Sequence, residues 1–216
     1  MRLFVAVYPP PEALDDIAAQ AHRLRVGEVA ATGVNVRLAP RSSLHVTVVF
    51  LGEVDDDRLP TVEEALGRAV RRWHPAAGAD QSGPPADGGE EAGPPRLRLG
   101  GGGRFGRGRF TLLWVGLTGD TGALDRLAGA TRQELRRSRI PHDRRPFRPH
   151  LTLARPGDRV DRESVEEDVR TLDGYLGPSW PATEMVLVRS HLGPRPTYDR
   201  LAAWPLGPGV TGSRPG

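Results

Sequence analysis

The sequence predicts a mixed fold of strands and helices arranged as two similar halves. Three observations carry this. Short β-branched or leucine-rich runs alternate with stretches whose apolar residues recur every three or four positions. The order strand, amphipathic helix, strand occurs twice, and the second strand of each copy holds a histidine and a threonine two apart, at His45 and Thr47 and again at His150 and Thr152. A repeat of this kind packs as two pseudo-symmetric lobes about a twofold axis, with the two motif strands facing each other.

The elements follow in order. Residues 2–8 form a short apolar run ended by three prolines, which reads as a buried strand feeding a helix start, where proline is tolerated. Over residues 11–25, Leu14, Ile17, Ala18, Ala21 and Leu24 recur at helical spacing, with acids early and arginines late as the helix dipole favours. A weak strand over 34–38 and a turn over 40–43 precede a dense β-branched run over 44–51, closed by Gly52. Residues 55–73 make a second helix, with Leu59, Val62, Leu66, Ala69, Val70 and Trp73 on one stripe.

Between 75 and 95 periodicity is lost, and almost no large apolar residue is present to offset the cost of ordering, so a mobile surface loop is expected. Alternation resumes over 96–99. The glycine run Gly100, Gly101, Gly102, Gly103 and the GRFGRGRF that follows read as a flexible hairpin, since RNA-binding RGG tracts are longer and repeated. A strand over 110–117, a helix over 121–139 on Leu124, Leu127, Ala128 and Leu135, a strand over 146–155, a helix over 161–172, a strand over 183–191 and a closing edge strand complete the chain. One domain is expected over 1–206, with a frayed tail over 207–216.

Composition narrows the chemistry. There is no cysteine, which removes disulfides, thiolate metal clusters and a cysteine nucleophile. All 30 basic residues are arginine, which removes lysine Schiff-base and P-loop chemistry and favours bidentate contacts with carboxylate or phosphate. A net charge of +3 is too mild for a polycationic nucleic-acid coat. The opening apolar run is too short for a secretory signal or a membrane span, so a soluble cytoplasmic protein is expected.

In a strand, residues i and i+2 share a face. His45 and Thr47 therefore lie together, opposite Leu44, Val46 and Val48, and His150 and Thr152 lie opposite Leu151 and Leu153. One such strand on its own reads as a hydrogen-bonded, half-buried histidine. Two at equivalent places of a repeat point to a shared site, because each gives up burial at the same two positions. Paired imidazoles suit acid and base catalysis on a phosphodiester, since an ordinary pKa near ~6.5 lets one ring accept a proton while the other donates one. Threonine hydroxyls and a nearby arginine would stabilise charge on the non-bridging oxygens. A metal site would need a third ligand, and no HxH, HExxH or carboxylate cluster accompanies either histidine. His22, His74, His142 and His191 are assigned no role.

With the residues around both motifs, HVTVVFLGEV over 45–54 and FRPHLTLAR over 147–155, and with RLFVAV, GRFGRGRFTLLWVGL and SHLGPRPTYDRLAAWPL, the sequence resembles the two-histidine (2H) phosphoesterases. Within them it is most similar to the RNA 2′,3′-cyclic phosphodiesterases of the ThpR/LigT family, once described as 2′-5′ RNA ligases. The likeness spans nearly the whole chain except 75–95 and the tail. It implies a bilobal α+β fold, each lobe an antiparallel sheet with outer helices, and a central cleft lined by the two motif strands. It also implies opening of a 2′,3′-cyclic phosphate to a 2′-phosphomonoester with no metal or cofactor.

On the same resemblance, His45 and His150 are the catalytic pair, His45 as acid on the 3′ leaving oxygen and His150 as base on water, while Thr47 and Thr152 bind the phosphate. The sequence itself does not order the two histidine roles. Arg155 ends the second motif as in the family; strict alternation puts it on the far face, and a bulge would bring it round. Phe4, Phe105 and Tyr198 stand at family-like positions near the cleft where a ring stacks on a base, with core packing the alternative for each. Leu38 replaces a frequent aromatic and Val48 a usual leucine. The partners implied are RNA ends or nucleoside 2′,3′-cyclic phosphates, with no membrane, for a monomer. The competing readings are 2′-5′ ligation by the same site, binding of RNA ends without turnover, and a phosphoesterase of small cyclic phosphates.

Overall fold

The computed structural model describes residues 1–73, 93–193 and 196–207. The loop expected over 75–95 lies outside these but for 93–95, as does the tail over 207–216 but for Gly207, and His74 is also outside. The apolar runs become β1 (Arg2–Val7), β2 (Val46–Glu53), β3 (Arg96–Phe105), β4 (Leu112–Gly119), β5 (His150–Ala154), β6 (Trp180–Pro181), β7 (Glu184–His191) and β8 (Thr197–Pro205). The amphipathic stretches become α1 (Pro11–Arg23), α2 (Arg25–Ala31), α3 (Leu59–Trp73), α4 (Thr121–Arg137) and α5 (Arg162–Asp173).

All strands pair antiparallel in one curled sheet of order β6-β3-β4-β5-β2-β1-β7-β8. The two motif strands, expected to face each other across a cleft, instead lie side by side at the centre, joined through the pair Val46 and Leu151. Two antiparallel half-sheets each present an edge of unpaired main-chain groups, and joining edge to edge satisfies part of both.

Every helix lies on one face of this sheet. Ile17, Val26, Leu66, Leu124, Leu127 and Leu172 share a single apolar cluster with Leu3, Val5, Val46, Leu113, Val115 and Leu151 from the strands. Each such side chain, fully buried, contributes about 1.5–3 kcal/mol. Among the described residues the other face carries a small cluster, Phe4, Ala6, Val186 and Val188, bordered by Tyr8, Phe50 and Tyr198. An antiparallel sheet can leave one face to solvent, and here that face is free for chemistry.

Several elements depart from the sequence reading. The helix over 11–25 breaks at Leu24, whose backbone is extended, and α2 begins behind it. The cause is distant in sequence: the carboxylate of Asp168 on α5 accepts hydrogen bonds from the amides of Arg25 at 2.6 Å and Val26 at 3.1 Å, capping α2. Asp168→Ala is expected to cost about 2 kcal/mol in urea unfolding, because two amides of the α2 start lose their acceptor. The strand over 34–38 shrinks to one bridge between Leu38 and Ala154, next to Arg37 at a φ of 50°. The strand over 146–155 starts only at His150, since Pro146 and Pro149 cannot donate to a ladder.

The glycine run is not a flexible hairpin but part of β3, which continues to Phe105. Its glycines admit neighbours. A Cβ on Gly102 would lie 2.5 Å from the carbonyl oxygen of Val169 on α5, and one on Gly103 would lie 2.0 Å from the indole of Trp114 on β4. The turn proper is confined to the residues between Phe105 and Leu112.

Candidate active site

Leu44 and Val46 are buried in the helix-side core, so His45 between them projects onto the open face at the entrance to β2. Its ring stacks on Phe4 of β1, with centroids 4.7 Å apart and planes at 25°, and meets the edge of Tyr198 of β8 at 5.3 Å. Tyr8 stands 5.9 Å away. Burial pushes the imidazole pKa down to about 4; the main-chain carbonyl of Ser43 opposes this, and the charge of His150 adds to it. Nδ1 of His45 is buried without a hydrogen bond of ordinary geometry.

His150 opens β5, with Leu151 anchored in the core behind it. Its Nδ1 lies 2.7 Å from the carbonyl oxygen of Arg148. A carbonyl only accepts, so Nδ1 carries the proton and the lone pair is left on Nε2. Phe105 of β3 meets the ring edge-on at 5.0 Å and Trp114 lies at 5.9 Å. Burial lowers this pKa as well; the Arg148 carbonyl opposes the shift and the Arg148 charge adds to it.

The antiparallel pairing of Val46 with Leu151 sets His45 beside Thr152 and Thr47 beside His150. Neighbouring pairs agree, Ala6 with Thr47 and Trp114 with Thr152, all on the open face. Both threonines are half-buried. The arrangement places two imidazoles, neutral at pH 7, within a small area flanked by two hydroxyl donors.

The structure treats the remaining candidates differently. In β5 the register shifts, so that Leu113 pairs with Ala154 but Trp114 with Thr152, and Leu153 is the extra residue. This bulge returns Arg155 to the face of His150 and Thr152, where it is exposed at the mouth of a cleft. Phe4 is buried, and its ring is taken up by His45 rather than offered to a base. Tyr198 touches both Phe4 and His45, and Phe105 touches His150 beneath the guanidinium of Arg148 at 5.9 Å.

Trp114, Tyr8 and Arg148 were missed by sequence reasoning although all three adjoin a motif histidine. Trp114 was findable: it lies two residues from Gly116 on a recognised strand, and a tryptophan opposite a run of glycines signals close packing across strands. Nothing in the sequence singles out the other two. Among the described residues no group of three or more histidine, aspartate and glutamate side chains is arranged to hold a metal ion.

Comparison with known proteins places the chain by family and fold. The family model of the 2′-5′ RNA ligase superfamily matches residues 10–194. The RNA 2′,3′-cyclic phosphodiesterase of Thermus thermophilus is 31% identical over 213 residues, which is 95% of this chain and 90% of that protein. Among solved structures, TT0787 of Thermus thermophilus gives a TM-score of 0.67 at 28% identity, over 97% of this chain and 100% of its own. E. coli LigT complexed with NADP+ gives 0.62 at 25% identity, over 95% of this chain and 97% of its own. Family match, relatives and fold converge, and the chain belongs to the 2′-5′ RNA ligase superfamily, among the RNA 2′,3′-cyclic phosphodiesterases of the two-histidine phosphoesterases.

Proposed function

We propose that the protein is a hydrolase that opens the 2′,3′-cyclic phosphate at the end of an RNA chain to a 2′-phosphomonoester, working as a single domain over 1–206 and as a cytoplasmic monomer. The observation that carries this reading is the pair of imidazoles on adjacent central strands of one open face, each beside the threonine of the other motif. No helix among the described residues is long and apolar enough to cross a membrane.

In the reaction, Nε2 of His150 takes a proton from water, the water oxygen attacks phosphorus, and the bond from phosphorus to O3′ breaks. His45 delivers its proton to O3′. Water is consumed, and the products are a 2′-phosphomonoester and a free 3′-hydroxyl. Thr47, Thr152 and Arg155 donate to the non-bridging oxygens, whose charge grows in the transition state. The hydrogen bond from His150 to the Arg148 carbonyl supports its role as base, since it leaves Nε2 open.

An acid must arrive protonated, and His45 at about 4 is neutral in the free protein. A substrate anion about 4 Å away supplies roughly 4 kcal/mol at an effective dielectric constant of ~20, which is about three pKa units. The proton therefore enters with the substrate. The sign for the rate follows, because kcat/KM reports the free enzyme and kcat the complex. The singly protonated pair dominates between about 4 and the lowered pKa of His150, with its proton resting on His150 until the substrate's charge draws one to His45, so kcat/KM is expected to peak on the acid side of 6.5 and to fall as pH rises beyond it. The kcat optimum lies at higher pH. Coincident optima above pH 7 for both parameters would contradict this account.

The direct test is hydrolysis, with EDTA present, of a 2′,3′-cyclic mononucleotide and of a short RNA ending in a cyclic phosphate. Formation of the 2′-phosphate is expected from both. A requirement for added metal, or release of a 3′-phosphate, would overturn the reading.

A further inference from the structure

We propose that a cleft beside the catalytic face binds the nucleotide that precedes the reacting end, holding its phosphodiester on arginines and its base on Phe110. The inference rests on the hydrolase reading and names the substrate class as oligoribonucleotide. The cleft encloses about 560 Å³, and its lining includes Arg37, Arg109, Arg155, Arg159, Phe110 and Asp158. Four arginines thus line this cleft with a single aspartate, in a chain whose net charge is only +3.

Some arginines elsewhere are neutralised together by a single carboxylate. Glu134 alone takes Arg68 at 3.2 Å, Arg72 at 3.2 Å and Arg137 at 2.8 Å. In the cleft, the guanidinium groups of Arg37, Arg109 and Arg155 make no hydrogen bond or ion pair among the described residues, and that of Arg159 donates only to the main-chain oxygen of Asn35, at 2.9 Å. Positive charges held together in excess of the one carboxylate beside them focus the field and attract an anion.

The backbone holds this convergence in place. Arg37 adopts a φ of 50°, which costs a residue with a Cβ conformational energy, and its amide donates to Oδ1 of Asn35 at 3.2 Å. Its carbonyl accepts from the amide of Arg155 at 3.2 Å, so the two side chains spring from paired main chain. Phe110 adds a second kind of recognition. It is 72% exposed, an unfavourable place for a phenyl ring unless something covers it, and the guanidinium of Arg109 sits 4.8 Å above it. Exposed aromatic rings among unpaired arginines are the means by which proteins hold single strands, stacking bases and tracking phosphates.

Position completes the argument. Arg155 stands three residues past Thr152, within about 10 Å at roughly 3.3 Å per strand residue. Phe110 comes just before β4, the strand paired with β5. A cyclic phosphate caps the 3′ end of a chain, so the rest of the chain runs from the site in the 5′ direction only. A ligand of repeating phosphates and bases leaving the two histidines has this cleft within one nucleotide's reach.

The test compares a 2′,3′-cyclic mononucleotide with a hexaribonucleotide ending in a cyclic phosphate, together with the anisotropy of a 5′-fluorescein hexaribonucleotide ending in a 2′-phosphate. The proteins are wild type, Arg37→Gln/Arg109→Gln and Phe110→Ala. The hexamer is expected to show a KM at least about tenfold below that of the mononucleotide. The double variant raises hexamer KM and Kd about tenfold, lowers the dependence of log Kd on log salt by about 0.7 for each phosphate no longer neutralised, and leaves mononucleotide kcat/KM within about twofold. Phe110→Ala weakens the hexamer about tenfold with the salt dependence unchanged. Equal affinity for the two substrates, or equal weakening of both by the variants, overturns the subsite while leaving the hydrolase standing. Hexamer binding that the variants weaken, in a protein that turns over neither substrate, removes the hydrolase and retains the subsite.

Discussion

His150→Ala is expected to lower kcat/KM for a terminal 2′,3′-cyclic phosphate by about 10²–10⁴, the ordinary contribution of a positioned general base. His45→Ala is expected to lose as much, and the double variant little more than either, because an acid and a base that act in one transition state fail as a unit. Folding must be separated from chemistry at His45, whose ring fills space between Phe4 and Tyr198. His45→Gln keeps most of that volume, and its thermal midpoint beside that of wild type makes the separation. The same variant tests the buried ring in a second way. The folded pKa of His45 is depressed to about 4 against about 6.5 unfolded, so the unfolded chain binds the proton first as pH falls. Stability from the neutral ring is complete above about 6.5 and drains away toward 4. The wild type should therefore lose more of its midpoint than His45→Gln between pH 7 and 4.5. Turnover that survives either alanine substitution within tenfold would remove the histidines from the reaction.

Gly103→Ala is expected to cost about 1–3 kcal/mol in urea unfolding and to lower activity with it. The added methyl would lie 2.0 Å from Cζ2 and 2.3 Å from Cη2 of Trp114, a rigid ring, so β3 or the indole must shift. The indole cannot move alone. It packs against Phe105 at 5.3 Å and stands 5.9 Å from His150, and both would follow. Gly129 in α4 supplies the contrast: a Cβ there meets nothing within 4 Å, and alanine should stabilise by about 0.4–1 kcal/mol through the unfolded chain. If Gly103→Ala behaved like Gly129→Ala, Trp114 would not form the wall of the site.

The contrast between these glycines shows where sequence reasoning reaches and where it stops. Periods of two and of three to four residues placed β1, β2, β4, β7, α1, α3, α4 and α5, and the period of two alone put each histidine with its threonine on one face. These features are local, set by the spacing of apolar residues along a few turns or pleats. What escaped was set by distant partners. The start of α2 depends on a carboxylate on α5, the two-residue β6 exists only by pairing with β3, and the glycines of β3 are explained by α5 on one side and Trp114 on the other. The aromatic candidates split on the same principle. A sequence marks Phe4 and Phe105 alike as apolar, while the fold gives Phe4 to His45 and leaves Phe105 half-buried beside His150.

The pair Val46 and Leu151 through which the two halves join carries one further consequence. So short a ladder cannot by itself hold alignment, and a slip of one residue between β2 and β5 would turn a histidine and a threonine toward the helices. Alignment is instead inherited from the flanks, from the long ladders of β1 with β2 and β7 and of β3 with β4. The spacing of the two imidazoles is thus a property of the outer strands as much as of the strands that bear them. A lesion in β7, or at the Arg96 end of β3, would be felt as a change in the distance a proton must travel.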